Sequence, residues 1–252
     1  MRIVVTFAVD AEFAPWRKLR RFDKLASGSM EGYFAKVEDA ELTILFTGIG
    51  GKKAWLEATK VLWDAHVDVC ISSGLAGALR LEHQLGDILA AESVHIAEQS
   101  RDVFSDPQLM VGAVACGAKR VRAFHSSNRV VIRADEKQEL CGGADAVEME
   151  SGEILAEAAV FGARGIAVRC ISDTADEDLP LDFNRATTQA GDVSLARILG
   201  QVAQHPGSVP SLIRFGQQSR SAAEKLAAFL DRYVVNLIAA NSASAARGAT
   251  SA

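Results

Sequence analysis

One run of residues limits the fold more than any other: Gly165-Ile166-Ala167-Val168-Arg169-Cys170-Ile171, closed by Ser172 and Asp173. It is apolar almost throughout, with no alternation of polar residues. That pattern reads as a buried strand, of the kind helices cover on both faces. A helical stretch, Ser151 to Phe161, stands just before it and opens at Glu150. Similar pairs recur along the chain. Ile3–Ala8, Val67–Ser72 and Gly86–His95 read as strands, and Gly51–Ala65 reads as a helix with Trp55, Ala58, Val61 and Leu62 on one face. Strand and helix in alternation imply a largely parallel sheet. The expected architecture is α/β, a three-layer α/β/α sandwich whose central twisted mixed sheet is flanked by helices.

The remaining elements are shorter. Glu12–Phe22 reads as helix, with Pro15 tolerated near its first turn. Gly32–Val37 and Glu41–Phe46 pair as strands around a polar turn at Glu38-Asp39. Residues 101–107 read as a loop, followed by a helix over 108–117. Arg120–His125 and Arg129–Ile132 read as strands, Asp135–Cys141 as a short helix, and Thr174–Pro180 as a loop. Leu195–Gln204 is helical, and the prolines and glycine of 205–210 break it. Pro210–Ala240 is a further helix with an apolar stripe through Leu212, Phe215, Leu226, Phe229, Leu230 and Val234. At 252 residues the chain suits one domain over 1–240, with 241–252, rich in Ala and Ser, as a disordered tail.

A net charge of −5 argues against nucleic acid or an anionic membrane as a partner. Basic residues gather at Arg17-Lys18-Leu19-Arg20-Arg21, which reads as a solvated helix face. The cysteines at 70, 116, 141 and 170 lack metal-ligand spacing and suit a reducing cytoplasm. No metal and no organic cofactor are expected. No signal peptide is read at the start of the chain, and no apolar run reaches the roughly 20 residues that span a bilayer.

Val147-Glu148-Met149-Glu150-Ser151 and Val168-Arg169-Cys170-Ile171-Ser172-Asp173 put carboxylates at a helix start and a strand end. Such side chains project into the crevice at the edge of an α/β sheet, where ligands bind. Cleavage of an N-glycosidic bond builds positive charge on the ribose and negative charge on the departing base. A carboxylate can hold the ribose hydroxyls, and a carboxylic acid can protonate the base.

These segments resemble the nucleoside phosphorylase/nucleosidase superfamily, nearest to the methylthioadenosine/S-adenosylhomocysteine nucleosidases. The likeness extends to Met1-Arg2-Ile3-Val4-Val5 with Ala8-Val9-Asp10-Ala11-Glu12, to the glycine turn Thr47-Gly48-Ile49-Gly50, and to the second glycine turn Gly74-Leu75-Ala76-Gly77 with Leu85-Gly86-Asp87-Ile88. It covers roughly residues 1–185. The resemblance implies roles. Asp173 is the general acid toward N7 of a purine, kept protonated by burial, and Ser172 beside it is a substrate-site residue. Glu12 activates the attacking water. Glu150 holds the ribose hydroxyls and Met149 packs on the sugar, while Glu148 lies at the pocket rim or is structural. Gly50, Gly74, Leu75 and Ala76 offer backbone contacts. It also implies a symmetric homo-oligomer, most simply a dimer. The phosphorolytic members carry an arginine near the second glycine turn; here Ile71-Ser72-Ser73-Gly74 has none, which favours water over phosphate as nucleophile.

Two departures stand out. Val130, followed by Val131, occupies the place of the family's base-stacking phenylalanine, and Arg129 beside it could contact an anion. His125, near this segment, reads as a structural histidine. The stretch from His205 to Phe215 resembles the tail of the hopanoid-associated phosphorylase branch. The expected activity is hydrolysis of an adenine-type nucleoside such as methylthioadenosine or S-adenosylhomocysteine. The alternatives are phosphate-dependent phosphorolysis, including release of adenine from adenosylhopane, and a catalytically silent nucleoside-binding protein.

Overall fold

A computed structural model of the chain describes residues 1–25, 32–50, 56, 59–60, 66–186, 201 and 206–250. Among the described residues, ten strands form one mixed sheet: β1 (Arg2–Phe7), β2 (Asp23–Lys24), β3 (Gly32–Val37), β4 (Ala40–Phe46), β5 (Val69–Ala78), β6 (Ile88–Ile96), β7 (Arg101–Phe104), β8 (Lys119–Ser126), β9 (Ala146–Glu148) and β10 (Arg164–Asp173). β1 lies parallel between β4 and β5. β5 also pairs parallel with β10, and the order β10-β6-β8-β9-β5 brings the sheet back on itself. The expected sheet is therefore partly closed into a ring, and β5, β9 and β10 end side by side.

Alternate residues of the strands serve two cores. Ile3, Val5, Ile71, Ile166, Val168 and Cys170 face one layer, where Leu226, Leu230, Tyr233 and Val234 of the long helix Val209–Thr250 pack on them. Val4 and Cys70 face the other layer, with Ile154 and Ala158 of the helix Ser151–Val160. A strand with both faces covered in this way has to be apolar throughout, as the 165–171 run is.

Several boundaries differ from the expectation, each for a local reason. The region 12–22 splits into α1 (Asp10–Phe13) and α2 (Trp16–Leu19), because Pro15 between them brings no N–H to a continuous ladder. Its arginines are engaged: Arg17 with Asp10 and Tyr33, Arg20 with Asp231. Residues 101–104 are not loop but the strand β7 on β6, and Asp106 then caps α3 (Pro107–Ala115) by accepting from the Gln108 and Leu109 amides. Residues 129–132 are not a strand. Asn184 of α6 (Phe183–Ala186) bonds both the amide and the carbonyl of Val130, and Ser127 does the same for Arg129. Side chains thus satisfy the backbone that a strand partner would have held. α4 (Ala134–Leu140) and α5 (Ser151–Val160) fall where expected. The last helix, α7 (Val209–Thr250), continues past the end expected at Ala240, in a segment rich in alanine, the strongest helix former. Most of the helix read over 51–65, and nearly all of 195–204, lie outside the described residues.

β5 holds the most informative difference. The strand expected to stop at Ser72 runs on through Gly74 and Gly77 to Ala78. A Cβ on Gly77 would lie 2.7 Å from Asp173 Oδ2, and one on Gly74 would lie 3.0 Å from Glu12 Oε1. These glycines make room for two carboxylates rather than turning the chain. The first glycine turn is a turn in fact, with Gly48 and Gly50 at φ of 71° and 101°.

Candidate active site

A pocket of about 720 Å³ opens where the ends of β5, β9 and β10 meet α1 and α7. Glu12, Leu75, Ala76, Val130, Val131, Glu148, Met149, Glu150, Ser172 and Asp173 all border it. Gly74 and Gly50 stand behind the wall, the first beside Glu12 and the second donating its N–H to Glu150. The structure thus gathers the residues singled out in the sequence from five separate stretches of chain.

Glu12 lies at the first helical turn after β1. Its Oε2 accepts from the amides of Ala8 and Val9, and its Oε1 from the amide of Leu75 at 3.0 Å. Burial pushes this carboxyl above the usual glutamate range. The Leu75 N–H and the Arg169 guanidinium oppose that shift without cancelling it. The result is a fixed carboxylate that is more basic than a solvated one.

Glu150 precedes α5 and points back toward Gly50, whose N–H reaches its Oε1 at 3.0 Å. Burial raises its carboxyl to about 7; Arg169 works against the shift and Glu148 with it. Of the two places expected for Glu148, rim or structural, it takes the structural one. It is buried in the wall, accepts from the amides of Glu150 and Ser151 at the start of α5, and holds Arg169 at 2.6 Å. A carboxylate at a helix N-terminus satisfies amides that have no partner within the helix.

Arg169 was absent from the expected site, although it sits in the run that most constrains the fold. It is 1 % exposed and stands within 3.5 Å of Glu150 as well as Glu148. The sequence held a signal for it: an arginine inside a buried strand requires an anionic partner.

Asp173 ends β10, opposite Gly77. Its Oδ1 accepts from the Ser172 hydroxyl at 2.8 Å. Its Oδ2 accepts from Lys137 Nζ at 2.6 Å. Lys137 comes from α4 and is fully buried; its ammonium also donates to the carbonyls of Thr174 and Glu177, at 2.8 and 2.9 Å. Asp173 is buried as expected, but burial does not act on it alone: the Lys137 ammonium faces it. Sequence reasoning missed Lys137. The available signal was weak, a lysine on the inward stripe of a short helix, in line with Ala134 and Leu140.

The pocket's other side is apolar. Val130 and Val131 stand where the base-stacking aromatic was sought, and Leu179, Phe183, Phe215 and Ala223 extend that surface. Arg129 turns to Glu136, making two contacts at 3.2 Å, and Arg220 pairs with Glu224 at the mouth. His125 does not border the pocket. It packs against His95, with ring centroids 5.8 Å apart, and burial lowers its pKa. Among the described residues, Glu82, His83 and Asp145 have metal-ligand proximity. Asp145 is already taken up by Arg80, His83 and two backbone amides, so that cluster reads as a structural network. Among the described residues, no helix is long and apolar enough to cross a membrane.

The family model of the phosphorylase superfamily matches residues 105–235. Among solved structures, futalosine hydrolase of Helicobacter pylori superposes with a TM-score of 0.72 at 20% identity, covering 93% of this chain and 97% of its own. The 5′-methylthioadenosine/S-adenosylhomocysteine nucleosidase of Neisseria meningitidis, in complex with methylthio-immucillin-A, gives 0.71 at 18% identity, covering 93% and 98%. The Campylobacter jejuni nucleosidase of the same name gives 0.71 at 20%, covering 93% and 99%. At these identities the likeness is one of fold.

Proposed function

The chain belongs to the phosphorylase superfamily, and from that membership we propose that it is an enzyme that hydrolyses the N-glycosidic bond of an adenine-type purine nucleoside. The observation that carries the reading is the convergence of Glu12, Glu150 and Asp173 on one pocket. In the proposed reaction the bond from ribose C1′ to the base breaks. The base takes a proton by way of Asp173, and water adds to C1′ and gives its proton to Glu12. Glu150 holds the ribose diol, with Met149 against the sugar. Bonds to hydroxyls that acidify as the ring turns cationic favour the transition state over the substrate.

Water is preferred to phosphate because phosphate needs fixed cations. Among the described residues at the pocket, Arg169 is held by Glu148 and Glu150, Arg129 by Glu136 and Arg220 by Glu224, while Lys18, which also borders it, is exposed and not fixed by an ion pair. The test is product analysis with methylthioadenosine, S-adenosylhomocysteine and adenosine, with and without phosphate. Free sugar and phosphate-independent adenine release are expected. A sugar 1-phosphate would overturn hydrolysis, and tight adenine binding without turnover would mean a silent binding protein.

A second reading is phosphorolysis of an adenine nucleoside bearing a large apolar 5′-group, such as adenosylhopane. One observation favours it: α7 lends Phe215, Gly216 and Ala223 to the pocket, so its apolar surface extends beyond what a methylthio group fills. Rates that rise with 5′-chain length and require phosphate would select this reading.

A further inference from the structure

We propose that Lys137 is the proton store for the base: the proton delivered to the leaving purine leaves Lys137 Nζ and passes through the Asp173 carboxylate. The inference rests on the reading of Asp173 as the group that serves the base. It starts from a conflict. A general acid has to carry a proton when substrate arrives, yet Asp173 Oδ2 already accepts one from Lys137 at 2.6 Å. Lys137 is 0 % exposed, and its three ammonium protons meet three acceptors: Asp173 Oδ2, the Thr174 carbonyl and the Glu177 carbonyl. An ammonium so enclosed is a charged, fully bonded donor aimed at one pocket carboxylate.

Among the described residues, no other carboxylate bonds this ammonium. On its own helix, Asp135 pairs with Arg133, Glu136 with Arg129, and Glu139 is exposed. In the facing loop, Glu177 pairs with Arg214, Asp178 accepts from the Ala134 amide, and Asp176 is exposed. β5 places Ala76 and Gly77 beside this end of β10. Glu148 on β9 belongs to Arg169. Lys137 and Asp173 therefore act as a unit with one transferable proton. The Nζ–H bond breaks and a base N–H bond forms. Asp173 begins and ends as a carboxylate. The neutral amine of Lys137 regains a proton from solvent, which balances the one released when water adds to the sugar.

Lys137 is thus a positioning residue that acts through Asp173, and its signature is a pH profile. As free side chains, an ammonium holds its proton to far higher pH than a carboxyl, about 10 against about 4. The test measures kcat/KM for adenine release from methylthioadenosine between pH 5 and 10 in the parent, Lys137→Met, Lys137→Arg and Asp173→Asn, with thermal unfolding as a check on each fold. The parent should stay active into the alkaline range. Lys137→Met should lose activity on the alkaline side, with that limb moved at least about one pH unit toward acid, because Asp173 alone must then hold the proton. Lys137→Arg should not restore the alkaline limb, since guanidinium keeps the charge but gives up no proton. If the arginine variant proves unfolded, Lys137→Gln takes its place and should behave as the methionine variant does. A uniform fall with an unmoved limb in Lys137→Met, or a limb rescued by arginine, overturns the proton store. Asp173→Asn within tenfold of the parent overturns the underlying reading instead. A parent inactive on this probe and on adenosine overturns both.

Discussion

Both ends of the pocket set a buried cation beside carboxylates, but in different proportions. At the end proposed to hold the base there is one of each, Lys137 and Asp173, at 2.6 Å. At the end proposed to hold the sugar, Arg169 serves Glu148 at 2.6 Å and Glu150 at 3.5 Å, and it also opposes the upward shift of Glu12. One cation there answers three carboxylates. A buried cluster short of positive charge disfavours ionisation, which is why Glu150 rises to about 7 and Glu12 also rises. The missing positive charge is what an oxocarbenium-like sugar would bring. The Lys137–Asp173 end lacks no charge and, in the proposed reaction, supplies the proton. In the proposed reaction the two ends are thus built for opposite charges.

Removing the acid should break the comparison most sharply. Asp173→Asn keeps the shape and loses the carboxylate, so turnover should fall by about 10²–10⁴-fold while nucleoside affinity, measured by calorimetry, stays within a few-fold. Next comes Glu12→Gln. It should lose hydrolysis by roughly 10²-fold or more without gaining any response to phosphate. A phosphate-stimulated rate in either protein would show that the sugar end binds an anion, against the charge count drawn above.

Glu150→Gln should cost less, about 10–100-fold in kcat/KM, and mainly in kcat. A 2′-deoxynucleoside should suffer a similar loss in the parent; equal rates on ribo and deoxy substrates would remove Glu150 from the diol.

The smallest effect is on stability. Glu150 titrates near 7 when folded and near 4.3 in an unfolded chain. Between those values the folded protein binds more protons than the unfolded one. Stability should therefore decline as pH rises from about 4.5 through 7. Glu150→Gln should remove part of that decline, leaving the variant more stable than the parent at pH 8 by on the order of 2 kcal/mol and little changed at pH 4. Denaturant melts at the two pH values compare them directly. A parent and variant with parallel pH dependence would mean that Arg169 neutralises the sugar end fully.

Much of this molecule was legible in the sequence. The apolar run 165–171 had to be a strand covered on both faces, because nothing else buries so many consecutive apolar side chains in a short segment. Glu150 and Asp173 could be singled out because one opens a helix and the other closes a strand, at the sheet edge where ligands bind. Glu12 and the first glycine turn came from the resemblance of their segments to the nucleoside phosphorylase/nucleosidase superfamily, and the positive φ of Gly48 and Gly50 fits a turn there.

What the sequence could not give are the relations set by distance in space. Gly74 and Gly77 looked like a turn. Only the pairing of β5 with β10 shows that they are strand residues hollowed to admit Glu12 and Asp173. Lys137 looked like one charge among several on a polar helix. Its partner is 36 residues further along the chain, and no local rule connects them. Arg169 was visible, yet its sharing between Glu148 and Glu150 depends on β10 coming beside the segment that joins β9 to α5. Burial and hydrophobic pattern are short-range properties written along the chain. The charge balance of a site depends on which distant segments the closed sheet brings together, and that is decided only when the core packs.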